Sequence, residues 1–575
     1  MPAVQISRRI PKNSQHLPDT LHPKLKQIYA DRGIHSAEQL NRSAQGLLHY
    51  QNLHGVEKAV EVLAKAIMEQ RKIIIIGDFD ADGATSTALS MLSLAWMGSK
   101  NHTYLVPNRF DFGYGLSPEI VEVAHEQHAS LIMTVDNGIT CFAGVEKAKS
   151  LGIDVVITDH HLAAESLPNA DAIVNPNQPG CEFLSKHLAG VGVAFYLMLA
   201  LRAKLKGTGW FEQQQITMPN LADLLDVVAL GTVADVVPLD ENNRILVHQG
   251  LQRIRSDKCR PGIKAIMDVS GRNQSKMQAS DLGFIVGPRL NAAGRLDDMS
   301  LGIECLLTDE PARARQIAVQ LDSLNRERRE IEGSMQQEAV KALESLNIES
   351  TKLPYGIVLY QENYHQGVIG ILAGRIKDKY YRPTIAFAHQ DDDTLKGSAR
   401  SIPGLHIRDV LEELNNRYPD IMGKFGGHAM AAGLNLPLKN LSAFEQVFNQ
   451  LAEEALQDKP LAGELITDGE LEACDLTLDF AQCLKDAGPW GQQFPEPLFD
   501  GEFQLMDQRL VGSKHLKMMV KHPSGVLIDA IAFNVDLNQW PNPECSEVNL
   551  AYKLDINEFR GKTSLQLMVE GLIGL

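Results

Sequence analysis

Between positions 72 and about 174 the chain repeats one pattern: a short run of β-branched and aliphatic residues, then a stretch of helical period. The runs are IIII from position 73, TYLV from 103, LIMTV from 131, DVVIT from 154 and AIV from 172. Such runs, separated by helix-length segments, predict βαβ units and hence a parallel sheet. None approaches the roughly 20 apolar residues that span a bilayer. The N-terminus mixes polar and basic residues without a signal-peptide core, so a cytoplasmic protein with no membrane partner is expected.

The chain is 575 residues long, enough for several domains. A largely helical region runs from Leu188 to about Leu307. Ile317, Leu321, Leu324, Ile331 and Met335 then recur at helical spacings without a proline after Pro311, which predicts a long connecting helix. A second α/β pattern starts at Tyr355 (YGIVLY) and contains the glycine-rich GGHAMAAG at Gly426–Gly433. Strand-like runs starting at Val526, Val548 and Thr563 close the chain and suggest a small barrel of the OB type. The expected division is a helical segment 1–71, a parallel-sheet domain 72–308, the connecting helix 309–350, a second α/β domain 351–460 and a barrel 461–575. The seven cysteines are scattered with no CxxC pair, which points to reduced packing residues.

The first strand run ends at Gly77 and is followed by Asp78, Asp80 and Asp82, three carboxylates that repel one another unless a cation joins them. A solvated acidic turn would explain one such cluster. The pattern recurs, however: Asp136 and Asn137 follow the LIMTV run, and Asp159, His160 and His161 follow DVVIT. Sites in open α/β sheets gather at the carboxyl ends of strands, so three successive strand ends carry ligand-type groups to one edge. Asp235, an acid inside the apolar stretch DVVALGTVADVVPL, is costly to bury without a partner and joins the set.

Carboxylates with an imidazole favour Mn²⁺ or Mg²⁺ over a thiolate zinc site. Two such ions can activate water and stabilise both oxygens in phosphoryl transfer, which makes hydrolysis of a phosphate ester the leading chemistry. The net charge of -17 argues against a nucleic-acid substrate unless basic residues gather on one path. No GxxxxGK[ST] motif is present, and Gly190-Val-Gly192 lacks the third glycine of a dinucleotide fingerprint.

The ordered set DFDADG, VDNG, TDHH, GTVADVVPL and GPRLNAAGR resembles the RecJ family of the DHH/DHHA1 phosphoesterase superfamily, over most of Gly77 to Gly433. The resemblance implies a parallel-sheet DHH domain, a connecting helix, a DHHA1 domain across a groove and an OB-like barrel. It implies a two-metal 5′→3′ exonuclease on single-stranded DNA, acting in repair and recombination beside a helicase and a single-strand-binding protein. By the same resemblance Asp136 bridges the ions, Asp82, His160 and Asp235 serve one, and Asp80 serves the other with Asp78 close by. His161 faces the scissile phosphate as acid or donor. Some members carry a histidine ligand where this chain has Ile76, so one ion is expected to hold more water or bind more weakly. The implied DNA and phosphate contacts are Arg109, Arg289, Asn291, His365, Ser398, Arg400, Gly426, Gly427 and His428. On the barrel, Lys514, His515, Lys517, Lys521, Phe533, Tyr552 and Phe559 are candidates for binding the strand.

Two other functions compete. One is hydrolysis of short oligonucleotides, cyclic dinucleotides or pyrophosphate, though relatives of that kind tend to be shorter. The other is an inactive single-strand-binding scaffold, which would have no use for Asp80, Asp82, Asp136, His160 and Asp235 together.

Overall fold

The computed structural model describes residues 5–107, 115–345, 353–459, 461–559 and 561–575. They divide into two units. One comprises Pro11–Arg326 with Leu484–Glu496; the other comprises residues 5–10, Glu327–Cys483 and Pro497–Leu575.

After β1 (Gln5–Arg8), which belongs to the second unit, the first unit is built on a five-stranded parallel sheet. Its strands are β2 (Ile73–Ile76), β3 (His102–Leu105), β4 (Leu131–Val135), β5 (Asp154–Thr158) and β6 (Ala172–Val174), in the order β3-β2-β4-β5-β6. All four isoleucines of β2 are fully buried, as expected of a parallel strand covered on both faces. The connection from β2 runs outward to β3, and the next returns across β2 to β4. The strand order therefore reverses between β2 and β4, and their carboxyl ends flank the crevice where such sheets bind ligands.

The helix Ala81–Trp96 leaves β2 and packs against the helices Gly190–Gly207 and Leu225–Ala234. A glycine on the last of these permits the approach: a Cβ on Gly231 would lie 2.2 Å from Thr85 Oγ1. The helices Glu241–Arg255, Pro261–Val269, Gly287–Leu296 and Ser300–Leu307 complete this layer, followed by the 35-residue helix Pro311–Ser345.

The second unit holds two β structures. One is a mixed sheet of β7 (Ile357–Tyr360), β8 (Thr384–His389), β9 (Thr394–Arg400), β10 (Phe425–Gly427) and β11 (Ala431–Pro437), in the order β10-β11-β9-β8-β7 with only β7 and β8 parallel. Phe387, Phe444, Phe448 and Leu411 lie in its core. After β12 (Glu464–Thr467) comes a closed barrel of β13 (Phe499–Val511), β14 (His515–Lys521), β15 (Leu527–Ala532), β16 (Glu547–Phe559) and β17 (Lys562–Gly574), ordered β13-β14-β15-β17-β16. One half of β13 pairs with β16 and the other with β14, with a register shift between Leu505 and Asp507. Such a shift bends a long strand around a barrel corner. The five-stranded closure is that of an OB-fold.

Two segments depart from the division expected from sequence. Residues 5–8, expected in a helical segment, form β1 and pair in parallel with β12. Arg8 donates to Asp500 Oδ2 from Nη2 (2.7 Å) and Nε (2.9 Å), and Asp500 also accepts from Thr467 Oγ1. A four-residue strand whose partner lies more than 450 residues away leaves no local periodicity to read. Residues 484–496, expected in the barrel domain, instead pack in the first unit. Tyr29 donates to the Ala487 carbonyl (2.8 Å), its ring lies beside Trp490 and Phe494, and Arg244 covers Phe494 at 4.5 Å.

Candidate metal centre

The loop after β2 turns directly into a helix, and that turn fixes its acids. Asp80 caps the helix, accepting from the Gly83 N–H at 3.0 Å. Asp82 points inward and accepts from the Gly190 N–H (2.6 Å) and the Val191 N–H (3.0 Å) at the start of the helix Gly190–Gly207. Gly190 permits this closure, because a Cβ there would lie 2.6 Å from the Asp136 Cβ. The GVG stretch that fails as a dinucleotide fingerprint thus seats a helix N-terminus on the acids.

Asp136, at the end of β4, is buried with φ 61, the left-handed region that aspartate tolerates better than most side chains. Asn137 beside it ties the two strand ends flanking the crevice, donating to the carbonyls of Ile76 (3.1 Å) and Val135 (2.9 Å). It is a brace. Asp235 ends the helix Leu225–Ala234 and brings its Oδ2 to 3.5 Å from His160 Nε2.

Sequence alone marks Asp159 only as part of the DHH triplet. It is buried, accepts from the backbone N–H of His160 (2.7 Å), His161 (3.1 Å) and Ile139 (2.9 Å), and holds His161 Nδ1 at 2.7 Å. Asn175 and Asn177 secure the same turn, donating to the carbonyls of His161 (2.9 Å) and His160 (2.6 Å). Sequence reasoning misses these two, because their partners are backbone carbonyls that no motif marks.

Among the described residues three groups of donor atoms result, each within 4.8 Å: Asp78 with Asp80 and Asp136; Asp136 with His160 and His161; Asp82 with His160 and Asp235. Asp136 and His160 each belong to two groups. Burial, then the charges of Asp82, Asp80, Asp235 and Asp78, push Asp136 well above the ordinary carboxylate range. Burial and the acids of the β2 loop do the same to Asp235. Burial and Asp80 carry Asp82 up to about 7 despite its two backbone donors.

So crowded a set of carboxylates is stabilised by a cation. His160 fits that role: burial and then His161 hold it down at about 4, so it is neutral at pH 7. Its Nε2 is buried with no hydrogen-bond partner among the described residues, 3.2 Å from Asp136 Oδ1. A neutral imidazole whose Nε2 faces the acids can offer that nitrogen's lone pair to a metal. His161 differs. Burial alone would lower it, but the bond and charge of Asp159 prevail and hold it above its ordinary value. The donor set of oxygens and imidazole fits Mn²⁺ or Mg²⁺. Ile76 is buried within β2, away from any ligand role.

The described candidate phosphate contacts are divided between the two units. Arg109 lies outside the described residues. Arg289 is buried, its Nε and Nη2 on Asp322 Oδ1 (3.0 and 2.9 Å) and its Nη1 on the Ile285 carbonyl (2.7 Å). Asn291 accepts from the Ala81 N–H (2.8 Å) and so steadies the acidic turn.

In the second unit, Arg400 Nη1 donates to Ser398 Oγ (3.1 Å) and the Ala399 carbonyl (2.8 Å). Both side chains crowd Gly370, in the first turn of the helix Ile369–Tyr380. Burial lowers Arg400, and among the described residues no carboxylate pairs with it. A guanidinium beside a helix N-terminus is suited to an anion. His365 Nδ1 accepts from the Gly367 N–H (3.1 Å) in the turn before that helix. Gly426 and Gly427 belong to the β10–β11 hairpin, which the His428 N–H closes on the Ala431 carbonyl (2.8 Å). A Cβ on Gly427 would lie 2.4 Å from that carbonyl oxygen, a packing reason for glycine. Tyr552 is barrel core against Phe499 and Phe503, whereas Phe533 and Phe559 are exposed.

Comparison with known proteins gives three family matches: the DHH family N-terminal domain at residues 72–232, the DHHA1 domain at 353–454 and the RecJ OB domain at 467–571. The single-stranded-DNA-specific exonuclease RecJ of Escherichia coli (strain K12) is 58% identical over 570 residues, covering 99% of both chains. That of Bacillus subtilis (strain 168) is 33% identical, over 98% of this chain and 70% of its own length. The crystal structure of RecJ from Thermus thermophilus with Mn²⁺ matches with a TM-score of 0.80 at 28% identity, over all of this chain and 80% of that one. The Mg²⁺ complex of the same protein gives 0.75 at 25% identity, over 99% and 78%.

Proposed function

This chain belongs to the RecJ family of single-stranded-DNA-specific exonucleases, and from that premise we propose that it hydrolyses single-stranded DNA from the 5′ end with two Mn²⁺ or Mg²⁺ ions at the β2/β4 crevice. One observation above all carries the assignment: Asp136 is shared by a donor group with Asp78 and Asp80 and another with His160 and His161. Asp136 would serve both ions, Asp82, His160 and Asp235 would hold one, and Asp80 would hold the other with Asp78 beside it. Such ions would supply water activation and charge compensation at the phosphate oxygens.

The chain's own groups do the rest. His161, oriented by Asp159 and held by it above its ordinary value, donates to a phosphate oxygen or gives its proton to the leaving oxygen. Arg400 and Ser398, with His365 and the hairpin residues Gly426, Gly427 and His428 nearby in sequence motifs of the same domain, hold the terminal phosphate. Arg109 is a further phosphate contact by family likeness. Arg289 and Asn291, committed to Asp322 and Ala81, support the centre instead. The barrel adds affinity for the strand through Lys514, Lys517 and Lys521. The setting is repair and recombination in the cytoplasm, beside a helicase and a single-strand-binding protein. No helix among the described residues is long and apolar enough to cross a membrane.

Protein stripped with a chelator and titrated with Mn²⁺ on labelled single strands tests this function. Hydrolysis should be absent at first and then rise to saturation, with two ions bound per chain by calorimetry. Strand binding without release of nucleotides at saturating Mn²⁺ would instead favour an inactive binding scaffold.

A further inference from the structure

Three apolar side chains on segments that adjoin the metal centre stand in solvent. Leu162 follows His161 and is 64% exposed, Val236 follows Asp235 and is 62% exposed, and Phe284 is 74% exposed. Their segments converge. His160 Nε2 lies 3.5 Å from Asp235 Oδ2, which brings the turns bearing Leu162 and Val236 together. Phe284 belongs to the turn Leu282–Val286, seated on the end of the helix that delivers Asp235. A Cβ on Gly283 would lie 3.3 Å from Val233 Cγ1, and one on Gly287 would lie 3.1 Å from the Ala234 Cβ.

Val236 is unusual in a second way. Its φ is 61, in the left-handed position after a helix end that glycine normally takes, and its N–H closes that end on the Val233 carbonyl (3.2 Å). A β-branched residue is strained there. Being exposed, the side chain returns little to the core. Strain retained next to a metal ligand is the kind that function maintains.

We propose that Leu162, Val236 and Phe284 form an apolar rim that receives the base and deoxyribose of the terminal nucleotide, with Val236 as a positioning contact. The assignment rests on the exonuclease function above. A phosphate at the acidic cluster brings its own sugar and base alongside, and these are the apolar parts of such a substrate. An unpaired terminal base has a free face to place on Phe284, and stacking of this kind tolerates any base.

The test uses full-length Val236→Gly, Val236→Asn and Phe284→Ala. It reads the melting temperature of metal-free protein, Mn²⁺ affinity by calorimetry, and KM and kcat on a single strand with a normal or an abasic 5′ nucleotide. Both Val236 variants should melt higher, because glycine and asparagine tolerate the left-handed region. They should bind Mn²⁺ within about twofold of wild type and raise KM about fivefold. Phe284→Ala should raise KM about fivefold or more. On the abasic strand these differences from wild type should shrink to less than about twofold. Unchanged KM in all three variants overturns the rim. Weakened Mn²⁺ binding in Val236→Gly also overturns it, since the valine would then act through Asp235 alone. A wild-type protein inert on single strands would remove the exonuclease function itself, a distinct failure.

Discussion

The metal centre and the barrel hold their candidate groups in opposite ways. At the centre, Asp82 is clamped by two backbone N–H groups, His161 is held by Asp159, and the histidine turn is secured by Asn175 and Asn177. On the barrel, Lys514 is exposed, Lys517 reaches Asp529 at 3.2 Å across the surface, and His515 rests edge-on against Phe533. Chemistry at one phosphorus atom needs preorganised groups with no substitutes. Grip on a polymer can be divided among many replaceable charges. The centre should therefore fail steeply on single changes and the barrel gradually.

Asp136→Asn gives the largest expected effect, a fall in kcat/KM of about 10³-fold or more, because the carboxylate shared by two donor groups loses its charge. Asparagine also accepts the left-handed backbone, so an unchanged melting curve separates lost chemistry from lost fold. Comparable activity at saturating Mn²⁺ would break the comparison at its root. Next, His161→Ala should cost about 10²- to 10⁴-fold in kcat while keeping Mn²⁺ affinity, whereas His160→Ala should weaken Mn²⁺ binding in calorimetry. Equal loss of metal in both would merge roles that the structure separates.

Asp159→Asn sharpens the same contrast, with an expected loss of about tenfold or more in kcat through a misdirected His161. Arg400→Ala should reduce the preference for a 5′-phosphorylated over a 5′-hydroxyl strand by about tenfold, the worth of a charge-assisted bond. The smallest effects belong to the barrel. Lys514→Ala, Lys517→Ala and Lys521→Ala should each make the salt dependence of strand binding shallower, by about 0.7 for every phosphate left without its cation, with kcat unaltered. A single lysine that cost as much as His161 would contradict the division.

Legibility in the sequence followed the same line. The acids lie at strand ends because an open parallel sheet gathers chemistry there, and a strand such as β2, apolar on both faces, announces itself. The crevice between β2 and β4 could not be read, since strand order is a tertiary fact. Nor could the bracing by Asn137, Asn175, Asn177 and Gly190, whose partners are backbone atoms or distant helix ends. Arg289 stands in a glycine-rich motif that suggests a phosphate contact. Asp322, on the long helix, engages it, and nothing local to the motif signals that partner. β1 and the 484–496 segment escaped for the same reason, their contacts lying hundreds of residues away.

The most direct test of the central claim is a time course of digestion with Mn²⁺ on one sequence presented as a 5′-labelled single strand, a 3′-labelled single strand and a blunt duplex. The account predicts immediate release of labelled mononucleotide from the 5′-labelled strand, progressive shortening of the 3′-labelled strand that retains its label until late, and an inert duplex. Release beginning from the 3′ end, or digestion of the duplex as fast as the single strand, would contradict it.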